Sequence, residues 1–517
     1  FYPIVWHQVA SLGAWSWRET LIANNVLLLA VALVWYLGLV YLARTALPKV
    51  RHAPYLALAA SLLAPVFPWR LTYGAALWPY CMAVATCPAV IAMSIECWRR
   101  ARTLMVVAAR EQNTSVWGAR ARAAMALSAI IPFFVGSCLI HTSAAAMLLW
   151  PLFGILLCQA VHSGIRSWRC ERRAQAAAWW IGAVLAVVAF VAFVVLPGPQ
   201  QHHFGRYTEL DWSNLTTKLL IPITLNYFGG WAIEWIEMPL ATLCLLGAAI
   251  CLWRRRNWEL VVAWIFSMSL ILAAIAPIPV LSAFTGLFYR VPHRIKAMTA
   301  VLAVLLVVIA LDALRTWLSP LGARAGSALR AALGRIGLAS VSTAVLRAGA
   351  AVAVLAVCLP IMLIGSRAVA TDVREGYLPV HGDTRFIADT AELDMIRRLP
   401  DELPDNAVVI GDPVAGTGYI PILTGMRSVW VFPGQAADDQ DGIYLRENFN
   451  RIHTDPHVCE LLQRHGIQYF YADKDIVFNG NRLSKFRPGL YGVDTSSGFT
   501  LVDSGGTASL WRIDICG

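Results

Sequence analysis

Charge is scarce in this chain. Asp, Glu, Lys and Arg together make up 14% of its 517 residues, against about 25% in an ordinary soluble domain. Acidic residues are scarcest: from Phe1 to Ser366 there are only 10 Asp and Glu. So few charges cannot solvate the surface of a large soluble fold. With 58% apolar residues, 21 Trp and a mean hydropathy of +0.59, they exclude an ordinary soluble globular protein, since Trp gathers at membrane–water interfaces. Metal-ligand spacing is also lacking. The cysteines of the apolar region read as small core residues, and His202-His203 has no partners at ligand distance along the chain. No initiator Met and no signal peptide open the sequence at Phe1.

What is present is a series of apolar runs. A hydrocarbon core of about 30 Å needs about 20 residues of helix, which predicts about ten spans. They are Leu21–Ala43, Ala53–Phe67, Ala75–Trp98, Ala123–Ile140, Ala144–Val161, Ala176–Leu196, Met238–Trp253, Leu260–Leu281, Met298–Trp317 and Ala348–Ile364. The second is short, holds Pro54 and Pro65, and reads as a span or a re-entrant segment. Ala123 to Val161 must be two helices, because as one it would run nearly twice the bilayer thickness at about 1.5 Å per residue. The turn between them falls at His141-Thr142-Ser143.

Basic residues alternate with these runs. Of the 28 Lys and Arg before Arg367, 21 follow odd-numbered spans. They are clustered at Arg44–Arg51, Arg99–Arg122, Arg166–Arg173, Arg254–Arg256 and Arg315–Arg347. The positive-inside rule makes that side cytoplasmic and places Phe1 and the tail outside. The alternation requires the second segment to cross. A protein starting in the cytoplasm would then carry an odd number of further helices before Phe1. The expected location is the plasma membrane, multi-pass, with membrane lipids as partners and no nucleic acid: the net charge of +11 is accounted for by topology.

Two outer loops are long enough to host chemistry. Pro197–Glu237 holds Glu209, Asp211, Glu234 and Glu237, which with Glu19 are the outer carboxylates near the membrane and the weak candidates for a general base. Glu234 and Glu237 stand one helical turn apart, either sharing a site or forming a solvated face. Phe284–Ala297 reads FTGLFYRVPHRIKA. Its Arg290, Arg294 and Lys296 break the positive-inside rule. Arginines at a helix mouth suit bidentate binding of a phosphate, with Tyr289 and His293 beside them, or snorkel to lipid headgroups. Upstream, FYPIVWH is a headgroup-level aromatic anchor, or else Trp6 and His7 line a polar cavity. His141 reads as a cap in its turn. The stretch Leu318–Arg347, rich in Ala, Gly and Arg, reads as an interfacial helix or a flexible loop.

The tail is a different polymer. From Arg367 onward 14 basic residues face 21 acidic ones. Strands are predicted at Ala407–Ile410, Ser428–Phe432 and Ile467–Ala472, and helices at Gly418–Thr424 and Pro456–His465. The reading is a helical membrane domain over 1–366 and a small extracytoplasmic α/β domain over 367–517. The turn GDPVAGTG follows a strand and precedes a helix, but no Gly-Lys-Ser/Thr follows it and Pro413 removes a donor. A turn structured by Asp412 fits better than a phosphate loop. Cys459 and Cys516 are the tail's only cysteines, a disulfide candidate in an oxidising compartment, or else two unpaired thiols.

FYPIVWH before an outer-to-inner span, FYRVPHRIKA between two late spans, and the tail segments GDPVAGTGYIPILTGMRSVWV and DPHVCELLQRHGIQYFYADKD together resemble one family. It is the uncharacterised actinobacterial polytopic membrane proteins related to the GT-C glycosyltransferases. The resemblance covers nearly the whole chain. It implies transfer of a sugar from a polyprenyl-phosphate donor, on the outer face, to an envelope glycan or lipid acceptor. It puts the catalytic carboxylate in a first outer loop upstream of the FYP motif, hence before Phe1, and carries Tyr289 and Arg294 over as donor-phosphate residues. Relatives often have Asn-Asp between the Tyr and the basic pair; here Arg290-Val291 stands instead. A cofactor, a divalent cation included, is not written in the residues. A lipid or glycan transporter and a non-catalytic envelope scaffold are the alternative readings.

Overall fold

The computed structural model describes residues 4–15, 17–63, 71–72, 77–110, 116–195, 231–275, 281–288, 292–335, 388–432, 439–478 and 481–516, with short pieces at 359–360, 363–364, 367 and 370–371. It divides into two compact units. One comprises Phe1–Gln8 and Leu27–Asp372, the other Val9–Val26 and Val373–Gly517.

The first unit is helical. Its elements, with Val9–Ser11 of α1 and Trp17–Val26 of α2 falling in the other unit, are α1 (Val5–Ser11), α2 (Trp17–Ala46), α3 (Ala53–Leu63), α4 (Trp78–Arg110), α5 (Val116–Ser128), α6 (Ile130–Ile140), α7 (Ser143–Arg169), α8 (Arg173–Val195), α9 (Trp231–Trp253), α10 (Trp258–Ile275), α11 (Leu281–Phe284) and α12 (Pro292–Arg335). Helix ends follow the chemistry of unsatisfied backbone groups. Glu19 stands in the first turn of α2 and accepts the Trp15 N–H at 2.8 Å, and Arg44 stands in its last turn. Pro292 opens α12, where its missing N–H costs nothing.

Among the described residues seven helices are long and apolar enough to cross a membrane, so the chain is a multi-pass membrane protein. They include Trp117–Ile140 and Ser143–Arg169, with the turn at His141-Thr142 between them. Two further apolar helices are shorter, Ala53–Leu62 and Pro239–Trp253. The described part of α3 spans only about 16 Å at about 1.5 Å per residue, and residues 64–70 lie outside the described ones. The expected last span, Ala348–Ile364, lies mostly outside them too. Of the two forms expected after Trp317, helix or flexible loop, residues 318–335 take the helix, continuous with α12 through Pro320 to Arg335.

Packing ranks these helices. In the apolar window of α12, 78% of residues are buried, against 11% for Trp117–Ile140 and for Arg173–Ala192. α12 is the axis of the bundle and the latter two are its lipid-facing rim. α9, α10 and α3 pack on α12. At Gly247 of α9 an added Cβ would lie 2.0 Å from the Leu306 carbonyl of α12, so only glycine allows that approach, as small residues do between membrane helices. Trp150 anchors a second seam. Its indole N–H donates to the Phe266 carbonyl at 2.7 Å, and its ring meets Phe153, Phe190, Phe266 and Phe284.

The second unit has a five-stranded sheet in the order β2-β1-β3-β7-β6, with β1 (Val408–Ile410) parallel to β2 (Arg427–Ser428) and β3 (Tyr469–Ala472). β7 (Ala508–Ile513) runs antiparallel to β3 and to β6 (Phe499–Gly505). A two-stranded ribbon joins β4 (Val477–Phe478) to β5 (Asn481–Arg482). The period of two along a strand sorts the core onto two faces. Val409, Tyr469 and Tyr471 pack on Met395, Ile396 and Leu399 of α13 (Thr390–Glu402). Val408, Ile410 and Phe470 pack on Leu445 of α15 (Gln440–Asn448) and on Val458, Leu461 and Leu462 of α16 (Pro456–Arg464). The short α14 (Tyr419–Thr424) joins β1 to β2. A bond between Cys459 and Cys516, their Cα atoms 5.2 Å apart, ties α16 to the chain end.

Candidate functional site

Aromatic and basic side chains meet at one end of the helix bundle. Tyr80 lies in the first turn of α4, His141 in the α6–α7 turn, Ser143 at the start of α7, and Arg294 in the first turn of α12. The Tyr80 hydroxyl donates to the Arg294 carbonyl. The Arg294 guanidinium lies over the Tyr80 ring, 5.6 Å from its centroid, a cation–π contact. Tyr80 also meets His141 edge-on, with centroids 5.3 Å apart. Ser143 Oγ is 2.8 Å from His141 Nδ1 and donates to the Leu287 carbonyl at 2.6 Å. These bonds fasten the turn to the single 3-10 turn Thr285–Phe288. Lys296, two residues beyond Arg294, is buried.

The electrostatics follow from burial. His141 is pushed down to about 4, first by loss of solvent and then by the Arg294 charge, so it is neutral at physiological pH. Positive charge at this end therefore comes from the Arg294 guanidinium. Trp6 of α1 is fully buried and stands 5.8 Å from Trp78, two residues before Tyr80. Trp6 thus packs beside the chain of contacts leading to Arg294.

The structure brings together some of the residues expected from sequence. Arg294 and Trp6 are in the cluster as described, while His7 is exposed. Tyr289 and Arg290 lie outside the described residues, as do Glu209 and Asp211. His293, Glu234 and Glu237 have described backbone in α12 and α9, but their side chains lie outside. Among the described residues no group of three or more His, Cys, Asp or Glu is placed to hold a metal. Sequence reading missed Tyr80, although Trp78-Pro79-Tyr80 opens a span at the same end as the His141 turn and could have signalled it. It also gave His141 only a capping role.

In the tail, GDPVAGTG is a structural turn. Asp412 accepts the Val414 N–H at 2.8 Å and caps the 3-10 turn Pro413–Ala415. It also accepts from the Tyr491 hydroxyl at 2.8 Å and pairs with Arg487 at 3.2 Å, both partners of the ion pair being buried. Beside it Glu392 and Asp389 form a capping box at the start of α13, and the buried Tyr471 hydroxyl donates to Glu392.

No curated protein matches this chain. A family model described as a family of unknown function, DUF6541, matches residues 1–515, and the chain belongs to that family.

Proposed function

We propose that the protein is a GT-C-like membrane glycosyltransferase acting in cell-envelope glycan or glycolipid assembly. Its donor would be a polyprenyl-phosphate sugar and its acceptor an envelope glycan or lipid. The observation that carries the reading is the Arg294–Tyr80 stack at one end of a membrane bundle. A guanidinium held in a partly dry site favours a phosphate that gains charge as it leaves. In the reaction a carboxylate takes the proton of an acceptor hydroxyl. The hydroxyl oxygen then bonds the anomeric carbon, and the sugar–phosphate bond breaks with its electron pair passing to the phosphate. The carboxylate is assigned to no described residue. Arg294, with Tyr289, Arg290 and His293 from the same loop, would hold the phosphate. The fold-level part of this reading is analogy.

Sidedness belongs to the same proposal. Basic residues gather at the α2–α3, α7–α8 and α9–α10 connections, which by the positive-inside rule are cytoplasmic. The Arg294 end and the tail are then extracytoplasmic, and a tail disulfide suits an oxidising compartment.

The test uses the full-length protein in lipid nanodiscs with polyprenyl phosphate. Arg294→Ala is expected to weaken binding at least about tenfold, about 1.4 kcal/mol, with Arg294→Lys intermediate. Unchanged binding would overturn the assignment. Binding without transfer of label from a polyprenyl-phosphate sugar would favour transport over catalysis.

A further inference from the structure

A cleft of 580 Å³ opens at the other end of α2, in the angle between α2 and α3. Tyr36, Leu37, Val40 and Arg44 line it from α2, at the three- and four-residue spacing of one helix face. Pro54, Tyr55 and Leu58 line it from α3, and the connecting loop closes its end with Arg51. The wall is therefore aromatic and aliphatic along its length, with two guanidinium groups at one mouth. Its volume lies within the range of about 300–1,000 Å³ typical of ligand sites.

We infer that this cleft binds one anionic phospholipid, its phosphate between Arg44 and Arg51 and an acyl chain along Tyr36, Val40, Tyr55 and Leu58. Three observations favour that occupant. First, α2 is among the helices long and apolar enough to span a membrane, so what fills a lateral cleft along it is lipid. Second, neither Arg44 nor Arg51 has an ion-pair or hydrogen-bond partner among the described residues. The carboxylate on this flank, Glu96, is engaged elsewhere, accepting from the Tyr41 hydroxyl at 2.7 Å and the Thr45 hydroxyl at 3.4 Å. Third, the nearby Arg99 is spent on the Thr45 carbonyl at 2.7 Å, and Arg44 and Arg51 are the cationic side chains that line the cleft. Two arginines matched to a phosphate diester supply charge and a bidentate fit, and basic pockets between spans select anionic headgroups. The inference rests on the membrane-spanning reading alone and is independent of glycosyl transfer.

The experiment counts lipids retained on the detergent-purified full chain by native mass spectrometry, after exchange with phosphatidylglycerol or phosphatidylcholine. One phosphatidylglycerol is expected to be retained at least about tenfold better than phosphatidylcholine. Arg44→Gln/Arg51→Gln should abolish the preference. Val40→Trp, which fills the wall and leaves both charges, should abolish retention of that one lipid. Arg254→Gln/Arg255→Gln at another basic turn should leave it in place. Equal retention of the two lipids, or a preference that survives the double substitution, overturns the inference. So does displacement by millimolar inorganic phosphate, which would make this a site for the free anion.

Discussion

At the scale of single residues, the tail shows how costly buried charge is tolerated. Asp412 and Arg487 are 3% and 7% exposed, and three donors converge on the one carboxylate. Removing one member of such a pair strands the other, at about 3–5 kcal/mol. Asp412→Ala is therefore expected to destabilise the tail by that amount, read as a fall in its thermal midpoint. Glu392 is the converse case. Burial, reinforced by Asp473 and Asp389, raises its carboxyl from 4.5 to about 8, against the opposing hydrogen bond from Tyr471. The native state thus holds a proton that the unfolded chain has lost. Stability from this group is complete below about pH 4.5, falls as pH rises toward 8, and is flat above. Glu392→Gln keeps the capping box and removes the titrating proton, so the opening free energy of α13, from amide exchange corrected for the intrinsic rate, should lose the fall that the native chain shows between pH 4.5 and 8. Gly416 seals the same spot. Its φ is +113°, and an added Cβ would meet Glu392 Oε1 at 2.3 Å and the Tyr471 hydroxyl at 2.5 Å.

At the scale of elements, local pattern and distant meeting separate. The break at His141 was legible because bilayer thickness limits a helix, and β1 and β3 were legible as short apolar runs between turn residues. The predicted strand Ser428–Phe432 is formed only at its start, in β2. Arg427 and Ser428 pair with β1 and the Val429 N–H donates to the Val409 carbonyl at 2.9 Å, after which the Ser428 hydroxyl donates to the Trp430 carbonyl at 3.0 Å and Trp430 buries into the core. The β6–β7 hairpin was not foreseen, although Gly505-Gly506 carries the turn signal and Gly506 has a φ of +62°. In the site, Arg294 was marked by its breach of the positive-inside rule. Tyr80 was not, because no local period says that residues 214 apart in sequence will meet. Helix contacts of that kind also set stability. Gly247→Leu would drive a side chain into the α12 backbone, and the expected result is loss of the folded bundle, seen as aggregation on size-exclusion chromatography in a detergent where the native chain is monodisperse.

At the scale of the whole molecule, orientation decides what the Arg294 end can meet, and it can be read without any substrate. Cys170 is exposed in the basic turn between α7 and α8, and Ser497 is exposed in the tail. The proposed orientation has the first inside and the second outside. Cys459 and Cys516 are bonded to each other, so neither competes for a thiol reagent. In intact cells a membrane-impermeant maleimide is expected to label Ser497→Cys in a Cys170→Ala background. Native Cys170 should label only after permeabilisation. Labelling in the reverse order would invert the topology, put Arg294 in the cytoplasm and remove the proposed outer-face chemistry. Labelling of both in intact cells would mean that the turn and the tail share a side. In that case an odd number of crossings lies between α8 and the tail, so either the short helix Pro239–Trp253 or the apolar stretch 348–364 does not span.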